Sequence, residues 1–147
     1  MKKYQKTLAV IGTSVTAGFA AMHLTNILFE KSACKNELIT SNDGFYYTSR
    51  FGKIFFTKQG IGKPVLLIHE LNPSCSHMEF KALADKLSAD HTVYNIDLLG
   101  CGRSDKPVVT YTSYMYVQLI HDFVKNVIGK KTHLIASGES SSIALLT

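Results

Sequence analysis

Hydrophobic and polar residues change rhythm several times along this chain of 147 residues, and each change marks an element. From Thr7 to Phe29 there are 23 residues without a formally charged side chain. At a helical rise of about 1.5 Å per residue, roughly 20 apolar residues cross a bilayer, so the segment predicts a hydrophobic N-terminal helix serving as a membrane anchor. Lys2, Lys3 and Lys6 precede it and should stay on the cytoplasmic side. That orientation makes the chain a single-pass protein of the cell membrane with its globular part on the outer face. Two other readings of 1–29 are a cleaved signal peptide, with the small residues Gly18 and Ala20 near the cleavage point, and an amphipathic or buried helix. Thr13, Ser14, Thr16 and Thr25 lower the hydrophobicity, although helical Ser and Thr can bond back to their own backbone. A polar stretch over 30–43 reads as a linker.

From residue 44 onward the pattern is that of a folded domain. Phe45 to Arg50 and Lys53 to Lys58 are aromatic and β-branched runs around Phe51-Gly52, which predicts a hairpin. After the break at Gly60-Ile61-Gly62-Lys63-Pro64, the continuous apolar run Val65 to Ile68 has the composition of a parallel strand buried on both faces. Ser76 and Glu79 have the spacing of a capping box, followed by Phe80, Leu83, Ala84 and Leu87 on one helical face. Thr92 to Ile96 is the next strand. Thr112 or Ser113 can cap a second helix with Tyr116, Ile120, Phe123, Val124, Val127 and Ile128 as its apolar stripe and Gly129 as its stop. Thr132 to Ala136 is a further buried strand. Strands alternating with amphipathic helices predict an α/β fold in which an N-terminal hairpin is followed by parallel strands with helices on both faces. In such sheets ligands bind beyond the carboxyl ends of the strands.

Composition narrows the function classes. Hydrophobic residues make up 46% and charged residues 18%, which suits one ordinary globular domain. Cys34, Cys75 and Cys101 have neither metal-ligand spacing nor an even count, so neither a disulfide framework nor a zinc site is expected. The histidines, His23, His69, His91 and His133 among them, do not pair at helical spacing, and no metal site is expected. The net charge is +5, but the lysines are dispersed rather than interleaved with aromatics. A nucleic-acid partner is therefore not indicated, and a membrane contacted through residues 7–29 suits the charge better. The sequence assigns no oligomeric state.

Three clusters carry the chemistry, each at the carboxyl end of a predicted strand. His133 to Ala136 runs into Ser137-Gly138-Glu139-Ser140-Ser141-Ser142, a Gly-x-Ser-x-small pattern between strand and helix, as in a nucleophile elbow. So sharp a turn crowds the residues two before and two after the serine, and Gly138 and Ser142 are both small. On this reading Ser140 is the nucleophile, with Ser141 a minor rival, and the backbone N–H of Ser141 faces a developing oxyanion. The second cluster, Asp97-Leu98-Leu99-Gly100-Cys101-Gly102-Arg103-Ser104, reads as a structural loop in which Asp97 and Arg103 brace glycine turns. In the third, His69-Glu70-Leu71-Asn72-Pro73, His69 reads as a hydrogen-bonded structural residue.

In this order the three clusters resemble those of the α/β-hydrolase fold family, over residues 44–147. The Asp-x-x-Gly-x-Gly-x-Ser loop is similar to the family's own, and Glu70 and Ser142 stand where the family has glycines. Where the loop after the first core strand keeps the family's shape, the resemblance implies that the N–H of Leu71 is the second oxyanion donor, and a Glu70 that cannot adopt the required backbone angles would distort the hole. The resemblance implies a serine hydrolase acting on a small-molecule ester, amide or related acyl substrate without a cofactor. Because the family's acid and histidine follow the serine, it also implies that both are missing from these 147 residues. The expectation is then the N-terminal part of a longer anchored hydrolase, truncated after the elbow, with an incomplete sheet and an inactive triad. Two other readings remain: a non-catalytic hydrolase-like binding protein, and a truncated membrane-anchored remnant.

Overall fold

The computed structural model describes residues 16–29 and 44–147. Contacts divide the chain into a unit over Met1–Thr40 and a unit over Ser41–Thr147. In the first, residues 16–29 form a helix, α1. The hydroxyl of Thr25 donates to the carbonyl of Ala21 at 3.0 Å, the back-bonding by which a helical threonine satisfies itself. Among the described residues no helix is long and apolar enough to cross a membrane. The anchor expected over 7–29 lies partly, and the linker over 30–43 wholly, outside the described residues.

In the second unit the chain forms β1 (Phe45–Ser49), β2 (Gly52–Gln59), β3 (Lys63–Ile68), a 3-10 turn (His77–Phe80), α2 (Lys81–Leu87), β4 (His91–Ile96), α3 (Ser113–Phe123), β5 (His133–Ala136) and α4 (Ser140–Leu145). The strands make one sheet in the order β1-β2-β4-β3-β5. β4, β3 and β5 are parallel, as the buried apolar runs require. The expected hairpin forms, and its second strand joins the sheet by pairing antiparallel with β4. The sheet is therefore mixed, because a strand that enters through a tight turn can add to an edge without a crossover helix.

Alternation along the strands sends side chains to two separate cores. Val65, Leu67 and Val93 meet Ala84, Phe80, Leu83 and Leu87 of the α2 region on one face. Leu66, Ile68, Tyr94 and Ile96 meet Leu119, Ile120 and Phe123 of α3 and Ile143 of α4 on the other. Thr112 caps α3 by accepting from the N–H of Met115 at 3.2 Å. A wider π turn over Val124–Ile128 follows, and Gly129 ends it at φ 66. The capping box before α2 does not close. Ser76 accepts weakly from the N–H of Met78 at 3.4 Å, while the Glu79 carboxylate accepts from the N–H of Glu70 at 3.0 Å instead of reaching back to Ser76. Tertiary use of Glu79 replaces the local cap. β5 is less buried than its composition predicts, since it is an outer strand whose residues are half-covered or, at His133, exposed.

Candidate active site

The carboxyl ends of β3, β4 and β5 lie side by side, so the loops that follow them share one edge of the sheet. The loop after β4 is built around Asp97, which is fully buried. Its Oδ1 accepts from the ring Nδ1–H of His77 at 2.9 Å, and its Oδ2 accepts from the N–H of Arg103 at 2.8 Å. The hydroxyl of Ser104 donates to its carbonyl at 2.6 Å. Burial raises the Asp97 carboxyl, but the side-chain bond from His77 and the N–H bonds from Arg103 and His77 outweigh it and hold the carboxyl below its ordinary value. Gly102, at φ 48, lies so close to this carboxylate that a Cβ would stand 2.2 Å from Oδ2. The Arg103 guanidinium covers the Phe55 ring at 5.0 Å. Asp97 and Arg103 thus brace the loop, as the sequence suggests.

His69, at the end of β3, is fully buried and engaged at both ring nitrogens. Nδ1–H donates to the carbonyl of Glu70 at 2.7 Å, which leaves Nε2 to accept from the N–H of Leu98 at 2.9 Å. Burial lowers its pKa, against the bond to Glu70 and the charges of Asp97 and Glu79. A ring with both nitrogens committed to backbone positions loops and transfers no proton.

The turn after β5 is where sequence and geometry diverge. Gly138 carries the left-handed backbone at φ 54, and no described residue other than glycine has a positive φ. Ser140 starts α4, is fully buried, and donates its hydroxyl to the carbonyl of His69 at 2.7 Å. The N–H of Ser141 donates to the carbonyl of Gly138 at 3.1 Å, so it is spent within the turn and does not face the crevice. The N–H of Glu139 does face it. Together with the N–H of Leu71 it converges on a single oxygen, Oε1 of Glu70, at 3.0 Å and 2.9 Å respectively. Two backbone donors, one from the loop after β3 and one from the turn after β5, form the arrangement of an oxyanion hole, in which the residue just before the second donor stands at the corner. Here that residue is Gly138. The residues two before and two after it are Ala136 and Ser140, both small, so the steric logic of a sharp elbow applies two positions earlier than the Gly-x-Ser spacing suggests. A Cβ on Gly138 would stand 1.2 Å from Oε2 of Glu70, which places the Glu70 carboxylate in the space of a corner side chain.

Leu71 is the one sequence-predicted oxyanion donor that the geometry brings to the hole. Glu139 and the carboxylate of Glu70 escaped the sequence reading, although a legible signal existed: Glu70 replaces a glycine on one side of the crevice while Gly138 lies on the other. Beside the hole a mostly apolar cavity of about 300 Å³ begins at Leu71 and continues past Pro73, Leu99, Cys101, Tyr111 and Tyr116. Burial pushes the Cys101 thiol up to about 11, so it stays protonated as part of that wall.

The mixed sheet, its two helical layers and the hole at the ends of β3 and β5 define the class: residues 44–147 have the α/β-hydrolase fold in its N-terminal part. Among solved structures the chain is similar to an α/β-hydrolase fold protein from Burkholderia ambifaria, with a TM-score of 0.64 and 22% identity over 69% of this chain and 37% of the other. It is similar to a haloalkane dehalogenase loop variant from Bradyrhizobium elkanii, with a TM-score of 0.64 and 17% identity over 69% of this chain and 34% of that one. In sequence it is 29% identical, over 97 residues, to the 2-hydroxy-6-oxo-6-(2'-aminophenyl)hexa-2,4-dienoic acid hydrolase of Metapseudomonas resinovorans, a match covering 62% of this chain and 33% of that enzyme. The chain thus spans about a third of the length of these relatives. No family model matches it.

Proposed function

We propose that the protein is a hydrolase of the α/β type acting on a small-molecule acyl substrate, and that residues 44–147 supply the part of its site that polarises the carbonyl. The observation that carries this reading is the convergence of the Leu71 and Glu139 N–H groups on one oxygen. Donors fixed by backbone stabilise the negative charge that develops on a carbonyl oxygen without reorganising, which is where much of the rate of acyl transfer originates. The relatives' hydrolase names and the adjoining apolar cavity support the substrate class. Ser140 is the nucleophile suggested by the motif. To act, its hydroxyl must exchange the bond to the His69 carbonyl for one to a base.

Turnover of short-chain p-nitrophenyl esters by the full protein tests the proposal. Release of p-nitrophenolate above the rate in buffer supports it, and no release from any ester of the series contradicts it. Two observations favour a second reading, a non-catalytic hydrolase-like protein that binds a small ligand. Gly138 brings no nucleophile to the corner, and Glu70 already fills the hole.

A further inference from the structure

We infer that the paired N–H groups of Leu71 and Glu139 are a carboxylate-binding site, held by the protein's own Glu70 in this structure and open to a small apolar monocarboxylate when that side chain swings out. The inference deepens the proposed hydrolase site, since a carboxylate is what acyl hydrolysis leaves behind, but carboxylate binding needs no turnover and is tested apart from it.

Three observations carry the argument. First, the occupant already present has the chemistry of the ligand: Oε1 of Glu70 accepts from Leu71 at 2.9 Å and from Glu139 at 3.0 Å. Charge-assisted bonds of this kind are roughly twice as strong as neutral ones. Second, the occupant needs a matched partner across the crevice. Oε2 stands 1.2 Å from the place of a Cβ on Gly138, so the carboxylate fits because that corner is glycine. Third, both donors are held by bonds that do not involve the Glu70 carboxylate. The N–H of Glu70 donates to Glu79 at 3.0 Å, and its carbonyl accepts from His69 at 2.7 Å. On the other side, the N–H of Ser137 donates to the carbonyl of Ile68 at 3.1 Å, and the hydroxyl of Ser140 donates to the carbonyl of His69 at 2.7 Å. When the side chain of Glu70 leaves, the donors stay aimed at the same point. A preformed anion site of this kind binds without paying the entropy of ordering its loops.

The cavity that begins at Leu71 sets the rest of the ligand. Leu71, Pro73, Leu99 and Tyr111 give it an apolar wall, and about 300 Å³ accommodates a short aliphatic or single-ring tail. The displaced Glu70 carboxylate, tethered to the loop, competes with any incoming anion, so the native protein binds such ligands more weakly than a variant that lacks the side chain.

The test is ¹⁵N–¹H NMR of the full protein with sodium butyrate as the probe. In Glu70→Ala the amide protons of Leu71 and Glu139 are expected to move upfield from their native positions. Butyrate is expected to return them downfield along a saturable curve, while shifting them little in the native protein. Glu70→Gln, whose carbonyl oxygen still accepts from both donors, is the control for folding and should keep near-native shifts and ignore butyrate. Unchanged Leu71 and Glu139 amides in Glu70→Ala overturn the inference, and so does a well-folded Glu70→Ala in which butyrate moves neither. Ester turnover is read separately, so loss of the hydrolase proposal and loss of this site are different results.

Discussion

At the scale of single residues, Glu70 and Gly138 act as a pair. Either one alone is awkward: a glutamate in place of a loop glycine, or a glycine at the corner of a turn that otherwise presents a side chain. Together they fill one volume, with the carboxylate bonded to Leu71 and Glu139. The account therefore predicts that Gly138→Ala is destabilising by roughly 2–3 kcal/mol, from the left-handed backbone and the expelled carboxylate. It predicts further that Glu70→Gly in the same chain recovers about 1 kcal/mol of that loss, a coupling that urea denaturation of the two single variants and the double variant measures directly. Strict additivity would show that the two residues do not share the space. Ser140 shows what the motif leaves open. Gly-x-Ser-x-small fixes a spacing but not which residue reaches the corner, and the end of β5 at Ala136 puts Gly138 there and Ser140 inside α4.

At the scale of elements, the sequence was legible wherever one face of an element is buried. The period-two alternation of β3 and β4 separates two cores, and the stripe on α3 contains Tyr116, Ile120 and Phe123, all buried as expected. Phe123 is the centre of that packing: its ring meets Phe56 edge-on at 5.0 Å and Tyr47 at 5.8 Å. Phe123→Ala should cost about 3–5 kcal/mol, read as a shift in the denaturation midpoint, because α3 loses its contact with both the hairpin and the central strands. A loss below 1 kcal/mol would mean that α3 does not hold the hairpin to the sheet. What escaped the sequence reading depends on contacts between distant segments. The pairing of β2 with β4 makes the sheet mixed, and the capture of Glu79 by the N–H of Glu70 removes the capping box. Spacing along one segment cannot report a bond to a residue in another.

At the scale of the whole molecule, the fold places its chemistry at one edge, where three loops of different origin meet. The loop after β4 is structural, the loop after β3 supplies one donor, and the turn after β5 supplies the other. Resemblance read from the three clusters matches the observed α/β-hydrolase fold, including the braced Asp97 loop and the structural role of His69. The membrane anchor expected over 7–29 lies partly outside the described residues, which hold its portion from 16 to 29 in α1. The central claim is that substrate chemistry takes place at the Leu71 and Glu139 hole, with Glu70 as its resident occupant.

Fluorophosphonate labelling of the full protein, native against Glu70→Gly, tests that claim most directly, because the phosphoryl oxygen of the reagent must enter the hole for a nucleophile to be captured. The account predicts labelling that rises at least tenfold when Glu70 is removed, with the modified residue, Ser140 or another, located by peptide mapping. Equal labelling of the two proteins would show that Glu70 does not hold the hole, and no labelling of either would contradict the hydrolase itself.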